Sequence, residues 1–258
     1  MLLSLDSGVS ALEQFQQQLN VIANNIANVN TVGFKSADVN FADTLSQTLG
    51  TNAAGSTQIG TGVMTSGIAN NFSTGALSST GVQSNLAING NGFFVVKDPT
   101  SSSSYVTQDG SFTVDKSGFL VTSSGLRVQG AAGDIQIGTG TPPPTYTIGS
   151  DGTVTNTTGG TSTAAGQIML QNFANPSQLI KVGGNLYTAP ASAGGLAAAA
   201  APGSSGLGTI VSGSLEMSNV DLAQELTNLI TTQRAYEANS KVITTSDNVL
   251  QTLVNLVR

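Results

Sequence analysis

Few side chains in this sequence could do chemistry, and the most reactive types are missing. The 258 residues contain no His and no Cys, which removes the commonest general base, the commonest metal ligand and any thiolate nucleophile. Carboxylate pairs remain, and they would suit a hydrolase: Asp109 with Asp115, or Asp134 with Asp151. Most of these aspartates adjoin a glycine, where aspartate commonly forms a turn. We therefore predict that the protein is not an enzyme, and we expect no catalytic residue, metal or cofactor.

Composition and charge narrow the possible partners. Charged residues make up 9% of the chain, against about a quarter in a typical soluble domain, so much of the surface is neutral. Such surfaces suit β-rich extracellular proteins and subunits that bury themselves against copies. The net charge is −6 with eight basic residues, so nothing attracts nucleic acid. No segment reaches the ~18 apolar residues of a membrane span, and the start of the chain lacks the regions of a secretory signal. We expect no membrane insertion, and export by another route.

Apolar residues recur at heptad spacing near the start of the chain. This spacing is typical of a coiled-coil seam and predicts a helix from about Ser4 to Ala27. Gly8 interrupts one row, and the pattern assigns Asn24 and Asn25 to the polar side. The seam residues are Leu5, Leu12, Leu19 and Ile26 in one row, with Phe15, Ile22 and Val29 in the other.

The end of the chain repeats the pattern and predicts a helix of about 36 residues that continues to Arg258. The segment from Ser218 to Asp221 supplies capping side chains and an acidic first turn. A second apolar row begins at Leu226 and turns polar through the middle. The main row is Leu222, Leu229, Tyr236, Ile243, Leu250 and Val257.

Between these helices the hydrophobic period shortens to that of strands. Short apolar runs, such as Phe93 to Val96, are separated by turn dipeptides that predict hairpins. Two low-complexity stretches, Pro142 to Pro144 and Ala189 to Gly208, are interpreted as surface loops. The predicted turns are Asn89-Gly90, Asn91-Gly92, Asp109-Gly110, Ser117-Gly118 and Asp151-Gly152.

Together these patterns predict an α+β protein in which long N- and C-terminal helices form a coiled-coil-like helical domain and the centre forms an all-β domain. The expected boundaries are residues 1–74 for the N-terminal helix and an extended segment, 75–213 for the β domain, and 214–258 for the C-terminal helix. Two antiparallel helices cannot enclose both seams and the additional apolar rows, which include Val9, Ile230 and Val249. The surplus apolar surface indicates assembly with neighbours.

Two segments carry a resemblance to a known family. Asn24-Asn25-Ile26-Ala27-Asn28-Val29-Asn30-Thr31-Val32-Gly33-Phe34-Lys35 resembles the N-terminal signature of bacterial flagellar rod and hook proteins. The stretch from Ser218-Asn219 through Gln233-Arg234-Ala235-Tyr236 resembles the closing signature of that family. The resemblance covers the whole chain. Physically, repeated Asn can cap a helix and bond neighbouring backbone, Gly33 permits a turn, and Phe34 can anchor the chain.

The resemblance implies a structural subunit of the flagellar axis, located in the periplasmic rod or the external hook. It implies partners: copies of itself in a helical homopolymer, adjacent rod and hook proteins, and the flagellar type III export apparatus. It also implies terminal helices that become ordered on assembly. The pair Phe41 and Leu45 resembles a short element recognised at the export gate, although a Phe/Leu pair at this spacing is also ordinary helix packing. Hook proteins usually carry a further large outer domain, so the size of this chain favours the distal rod architecture or a short hook, with the rod slightly preferred.

A rival interpretation is a secreted β-rich adhesin or surface-layer protein, in which the C-terminal heptads would form a stalk. Richness in Ser, Thr, Gly and Asn, together with acidity, supports it. An adhesin would be expected to show a signal peptide or repeats, and the sequence shows neither.

Overall fold

A computed structural model describes residues 2–52, 55–101, 103–138, 145–158, 161–194 and 199–256. These residues form two α-helices, α1 (Leu2–Ala27) and α2 (Leu222–Leu256), with twenty strands between them. The expectation of an α+β protein with terminal helices and a β-rich centre is therefore confirmed. The predicted helix end at Ala27 is also confirmed, while Val257 and Arg258, expected in the second helix, lie outside the described residues.

The strands are short and follow one another closely along the chain. The first ten are β1 (Ala37–Asp43), β2 (Ser46–Asn52), β3 (Gly55–Gly60), β4 (Val63–Asn70), β5 (Leu77–Ser79), β6 (Leu86–Asn89), β7 (Phe93–Lys97), β8 (Ser104–Thr107), β9 (Thr113–Val114) and β10 (Leu120–Val121). The others are β11 (Arg127–Gly130), β12 (Gly133–Asp134), β13 (Thr145–Ile148), β14 (Thr153–Thr158), β15 (Thr161–Gln167), β16 (Leu170–Gln171), β17 (Ile180–Gly183), β18 (Leu186–Thr188), β19 (Thr209–Ser212) and β20 (Ser214–Glu216).

The chain divides into two compact units. The helical unit comprises Met1–Ala27, Ala37–Asn71 and Val220–Arg258, and the β unit comprises Asn28–Ser36 and Phe72–Asn219. In the helical unit, β1 pairs with β4 and β2 pairs with β3, both antiparallel. The segment after α1 is therefore folded into paired strands. Both terminal segments of the sequence contribute to the helical unit, and the short stretch Asn28–Ser36 belongs to the β unit.

The β unit is built around a sheet in which β17, β18, β8, β7, β11, β10 and β9 are neighbours in that order, with β12 and β16 joined at its side. A three-stranded sheet (β13, β14, β15) and the pairs β19–β6 and β20–β5 complete it. Strands β5 and β6 come early in this unit and β19 and β20 come late. The two strand pairs therefore join the beginning of the unit's sequence to its end.

Strand β7 separates two apolar clusters. Alternate side chains of a strand point to opposite faces, so Phe94 and Val96 join one cluster and Phe93 and Val95 join the other. All four are buried, which explains why the run lacks a polar alternation. Edge-to-face aromatic pairs extend from both sides, with ring centroids 5.1 Å apart for Phe94 and Phe112, a geometry that aromatic rings favour.

The predicted hairpin turns are correct at two positions. Ser117-Gly118 joins the antiparallel strands β9 and β10, and Asp151-Gly152 joins β13 and β14. Gly118 and Gly152 both adopt positive φ. The hairpins predicted at Asn89-Gly90, Asn91-Gly92 and Asp109-Gly110 are wrong. Strand β6 pairs with the distant β19 rather than with β7, because long-range pairing of a fully buried strand overrides the local turn signal.

The interpretation of Ala189 to Gly208 as a surface loop is correct for the exposed residues 203–206 and wrong for the residues of that stretch that pack against the sheet. Ala193 is fully buried among Phe93, Val106 and neighbouring side chains, and Ala200 exchanges backbone hydrogen bonds with Leu170. Small side chains allow the backbone to approach the sheet closely, so low complexity here serves packing. Residues 195–198 and Pro142 to Pro144 lie outside the described residues.

Gly110 generates a test of the β-unit fold. A Cβ at this position would overlap the carbonyl oxygen of Leu86, which lies in a neighbouring segment of the same chain. We expect Gly110→Ala to lower the free energy of unfolding by about 3 kcal/mol, the upper end of overpacking costs. Gly125→Ala is the matched control, because nothing lies within 4 Å of the added carbon. Gly125 has a φ of +83°, so this variant loses stability only through the left-handed backbone conformation, about 1–2 kcal/mol. Urea unfolding followed by tyrosine near-UV dichroism measures both, and equal losses would contradict the proposed overlap.

Candidate functional site: contacts between the two ends of the chain

The two terminal helices run antiparallel in the helical unit. Gly8, near the start of α1, lies against Ile243, in the C-terminal half of α2. Asn25, near the end of α1, contacts Glu225, at the start of α2. A Cβ on Gly8 would lie 3.3 Å from Ile243 Cγ1. Gly8 is therefore a point of close helix approach, and the expectation that it merely interrupts an apolar row is corrected.

Asn25 is buried, which corrects its assignment to the polar side of α1. Its side-chain amide donates to Glu225 Oε1 at 2.9 Å and to the Ala37 carbonyl at 2.9 Å. Its Oδ1 accepts the Ala37 N–H at 3.0 Å. The Asn25 side chain thus bonds both backbone groups of Ala37, the first residue of β1, and links this residue to α2. Buried polar groups require such partners, so this contact specifies one register for the helix pair.

The predicted seam is only partly covered within one chain. In α1 Ile22 is buried, and the other seam residues are half-buried: Leu5, Leu12, Phe15, Leu19 and Ile26. In α2 Leu229, Ile243 and Leu250 are half-buried, while Leu222, Leu226 and Tyr236 are exposed. The fully buried residues of α2 are instead Glu225 and Thr232. The face of α2 that α1 covers is therefore more polar than the heptad pattern predicts.

Residues of both family signatures converge in the β unit as well. The Gly33 N–H donates to the Glu216 carbonyl at 2.8 Å. Gly33 has φ +66°, and a Cβ would lie 2.7 Å from the Asp109 nitrogen, so both conformation and space select glycine here. Phe34 is buried beneath Lys181, whose Nζ lies 4.8 Å from the ring centroid. Burial lowers the pKa of Lys181.

The centre of this region is a buried ion pair. Lys35 is fully buried, and its Nζ donates to Glu216 Oε1 at 2.7 Å and to the Ser73 carbonyl at 2.9 Å. The same carboxylate oxygen accepts the Gly75 N–H at 2.7 Å. Three chain segments therefore meet at one carboxylate. A buried charge is tolerated when it is paired and hydrogen-bonded in this way.

Among the C-terminal signature residues, Asn219 takes part in the same cluster. Its Oδ1 accepts the Ser36 N–H at 2.8 Å, and its amide donates to Ser73. Asp221, rather than Ser218 or Asn219, caps α2 by accepting the N–H groups of Ala223 and Gln224.

The remaining signature residues are not brought together. Gln233 and Arg234 lie exposed on α2, where Arg234 pairs with Glu237 at 3.0 Å. Asn24 is also exposed, and Asn28 accepts a hydrogen bond from the Thr31 hydroxyl at 3.1 Å.

Lys35, Glu216 and Glu225 were not predicted as site residues. A signal existed for Lys35, which directly follows the signature glycine and phenylalanine. Glu216 and Glu225 carry no comparable local signal, because their burial depends on partners 181 and 200 residues away.

Three of the four aspartates considered for hydrolysis accept backbone hydrogen bonds within turns, and Asp134 pairs with Arg127. Asp109 accepts the Ser111 N–H, and Asp115 accepts the N–H groups of Ser117 and Phe119. The Thr153 hydroxyl lowers the pKa of Asp151 by hydrogen bonding, and Arg127 does the same for Asp134. Within the described residues, no group of three or more acidic side chains is placed to hold a metal ion.

The pair Phe41 and Leu45 does not lie on a helix, so the alternative of ordinary helix packing is wrong. Phe41 belongs to β1 and contacts Phe15 edge-to-face, with centroids 6.3 Å apart. Leu45 follows the strand and is 89% exposed.

The buried ion pair supplies a prediction. Lys35→Met leaves Glu216 buried without its cation, and breaking a buried pair in this way costs about 3–5 kcal/mol. We expect the double variant Lys35→Met/Glu216→Leu to recover at least half of that loss, since both charges are gone. Arg234→Met, which breaks an exposed pair, is the control and should change little. Chemical unfolding of the full chain measures all three, and an unchanged Lys35→Met would contradict the energetic role of the pair.

Comparison with known proteins follows the same segments. Residues 5–35 match the family described as flagella basal body rod protein. Residues 87–156 match the flagellar hook protein FlgE/F/G D1 domain. Residues 211–256 match the flagellar basal body rod FlgEFG protein C-terminal family. The N-terminal match contains Asn25 and Lys35, and the C-terminal match contains their partners Glu225 and Glu216.

Full-length relatives are named as rod proteins. The chain is 46% identical over 268 residues to the flagellar basal-body rod protein FlgG of Bacillus subtilis, covering 100% of each chain. It is 37% identical over 269 residues to the corresponding protein of Borreliella burgdorferi, again covering 100% of each. The flagellar hook protein FlgE of Treponema pallidum is 41% identical over 139 residues, which cover 50% of this chain and 30% of the hook protein.

These matches confirm the expected resemblance and do not favour the adhesin interpretation. Relatives of this kind are structural proteins, in agreement with the prediction that the chain is not an enzyme. No helix among the described residues is long and apolar enough to cross a membrane. Signature residues from the two ends of the chain contact one another, and the chain is similar to rod proteins over its full length. The chain therefore belongs to the flagellar basal-body rod and hook protein family.

Proposed function

We propose that this protein is a subunit of the distal flagellar rod, where copies polymerise through their terminal helices into a helical tube that transmits motor torque. This proposal rests on the match with basal-body rod proteins over the full length of the chain. The hook relative shares half of this chain and less than a third of its own length, which favours the rod over the hook. Neighbouring rod and hook proteins are the proposed partners at the two ends of the segment.

The proposed assembly contact is a coiled-coil-like layer formed by the helices of several copies. Within one chain, Ile22 is buried while Leu222 and Leu226 are each 44% exposed. Complete burial of a large aliphatic side chain stabilises by roughly 1.5–3 kcal/mol. These two leucines are already more than half covered, so burying the rest would add roughly half of that for each residue. Packing against neighbouring copies recovers this energy and offsets the entropy lost when the helices become ordered.

We also propose export through the flagellar type III apparatus, with Phe41 and Leu45 as the element read at the gate. Leu45 lies between β1 and β2 and is 89% exposed, so packing within the chain does not account for a leucine at this position.

Complementation of a strain lacking the gene tests assembly. We expect basal bodies from the deletion strain to stop within the periplasm, and the unaltered gene to restore complete rods. Ile22→Asp places a charge in the part of the helical unit that is buried within one copy, and Leu229→Asp places one at a half-buried position of α2. Each should abolish polymerisation while the β unit stays folded, because the helices could no longer form the proposed layer. Electron microscopy of purified basal bodies gives the result, and urea unfolding of each purified variant checks the β unit.

Asn248→Asp is the control, because it adds the same charge at an exposed polar position of α2 and should assemble normally. Normal rods from either seam variant would exclude the helices as the contact. A complete rod without a hook in the deletion strain would make the protein the hook subunit, and intact flagella would overturn the proposed function.

The proposed domain boundaries have a separate test. We expect the isolated segment 75–213 to be a soluble monomer that unfolds cooperatively, because it contains both apolar clusters apart from Phe72. Strand β20, the partner of β5, and the Lys35–Glu216 pair fall outside it. The longer segment 28–219 includes them and should be more stable. An unfolded 75–213 beside a folded 28–219 would move the boundary.

A further inference from the structure

The β unit is built from two separate stretches of the chain. Residues 28–36 come first, residues 37–71 then fold in the helical unit, and residues 72–219 return to the β unit. Neither of the two apolar clusters that the described residues form includes a member from 28–36 or from 214–219. The apolar interior of the β unit is therefore complete without its first stretch and without its last strand, β20.

The first stretch is attached to this interior by hydrogen bonds and one aromatic ring. The Asn185 side-chain amide donates to the Val32 carbonyl at 2.7 Å. The Lys181 ammonium donates to the Lys35 carbonyl at 3.2 Å, and the same ammonium lies over the buried ring of Phe34. Residues 28–36 thus lie against an interior that is packed without them.

Glu216 joins this stretch to two others. Its carbonyl accepts the Gly33 N–H at 2.8 Å, and its Oε1 accepts the Lys35 ammonium and the Gly75 N–H, both at 2.7 Å. The strand that contains Glu216, β20, pairs with β5, which follows Gly75. We term these three connected stretches the latch, which comprises residues 28–36, 73–79 and 214–219.

The buried charges make partial opening of the latch unfavourable. If β20 separated while residues 28–36 stayed in place, Lys35 would remain buried without its carboxylate. If residues 28–36 separated alone, Glu216 would remain buried without its cation. Leaving one partner of a buried ion pair uncompensated is strongly destabilising, whereas opening all three stretches returns both charges to water. The stretches should therefore open together or not at all.

We propose that the latch opens and closes as one cooperative element while both apolar clusters of the β unit stay packed. Proteins commonly open in such units, smaller than the whole domain. Glu216 lies in the last fifth of the sequence, so Lys35 has no buried partner until almost the whole chain is present. Contacts of long sequence separation also form slowly, because loop-closure entropy opposes them. Closure of the latch is thus a late step of folding. This inference concerns a single copy and does not depend on the proposed function.

Hydrogen exchange of the monomeric full chain, followed amide by amide by NMR, tests the latch. The N–H groups of Gly33, Ser36 and Gly75 are hydrogen-bonded within it. We expect these three to share one opening equilibrium. The N–H groups of Leu120 and Leu170, which are hydrogen-bonded in the interior, should exchange more slowly, because they require unfolding of the β unit.

Two matched variants separate latch opening from unfolding. Ile168→Val removes one buried methylene group from the interior and should speed exchange at Leu120 and Leu170 about two- to tenfold. Exchange at Gly33 and Gly75 should not change, because the latch opens without unpacking the interior. Asn219→Ala removes the acceptor of the Ser36 N–H, so it should speed exchange at Gly33 and Gly75 by one common factor of about two- to tenfold.

Three results would overturn the proposal. Equal acceleration of Gly33, Gly75 and the interior amides by Ile168→Val would mean that the latch has no opening of its own. Acceleration at Ser36 alone by Asn219→Ala would mean that the three stretches are not coupled, since Gly33 and Gly75 donate to Glu216 rather than to Asn219. Unprotected latch amides in the unaltered chain would mean that the latch does not close in a single copy.

Discussion

The burial of Glu216 is the constraint on which the β unit depends. This carboxylate is almost fully covered, and it meets the fully covered ammonium of Lys35, 181 residues earlier. An isolated charge at this depth would cost several kcal/mol, so the segment 28–36 must be in place whenever the C-terminal strand β20 is. The Gly33 N–H on the Glu216 carbonyl is a second contact from the same segment, and the Gly75 N–H on the Glu216 side chain adds one further segment. A polar contact of this kind contributes specificity as much as stability, because few other arrangements satisfy all of its groups.

The helical unit uses a related device with uncharged partners. Asn25 bonds both backbone groups of Ala37 and the side chain of Glu225, so one amide specifies where α1 ends, where β1 begins and how α2 is aligned. A buried polar residue in an otherwise apolar helix contact is known to select register. The apolar contacts of the pair are less selective, since several leucines of α2 are exposed in the single chain. Register in one copy thus comes from polar pairs, while much of the aliphatic surface of α2 stays exposed.

Prediction from the sequence succeeded where local physics decides. Heptad spacing located both helices, and runs such as Phe93 to Val96 were correctly taken as strands because every residue in them is apolar. The turns at Gly118 and Gly152 were correct because the strands they join have their partners next to them in the chain. The turn at Asn89-Gly90 failed since its preceding strand finds its partner more than a hundred residues later. The alanine-rich stretch failed because composition does not tell a mobile small residue from one that packs, like Ala193.

The sequence by itself determined the family, the α+β class, the positions of α1 and α2, and the excess of apolar residues that one pair of helices cannot cover. These follow from periodicity, composition and motifs, which are properties of neighbouring residues. Only the tertiary structure decided that Asn25, Lys35, Glu216 and Glu225 are buried, that Gly8 is a close contact, and that large aliphatic residues along α2 stay exposed in a single chain. The physical reason is distance along the chain: burial is set by partners up to 200 residues away, and no local pattern carries that information.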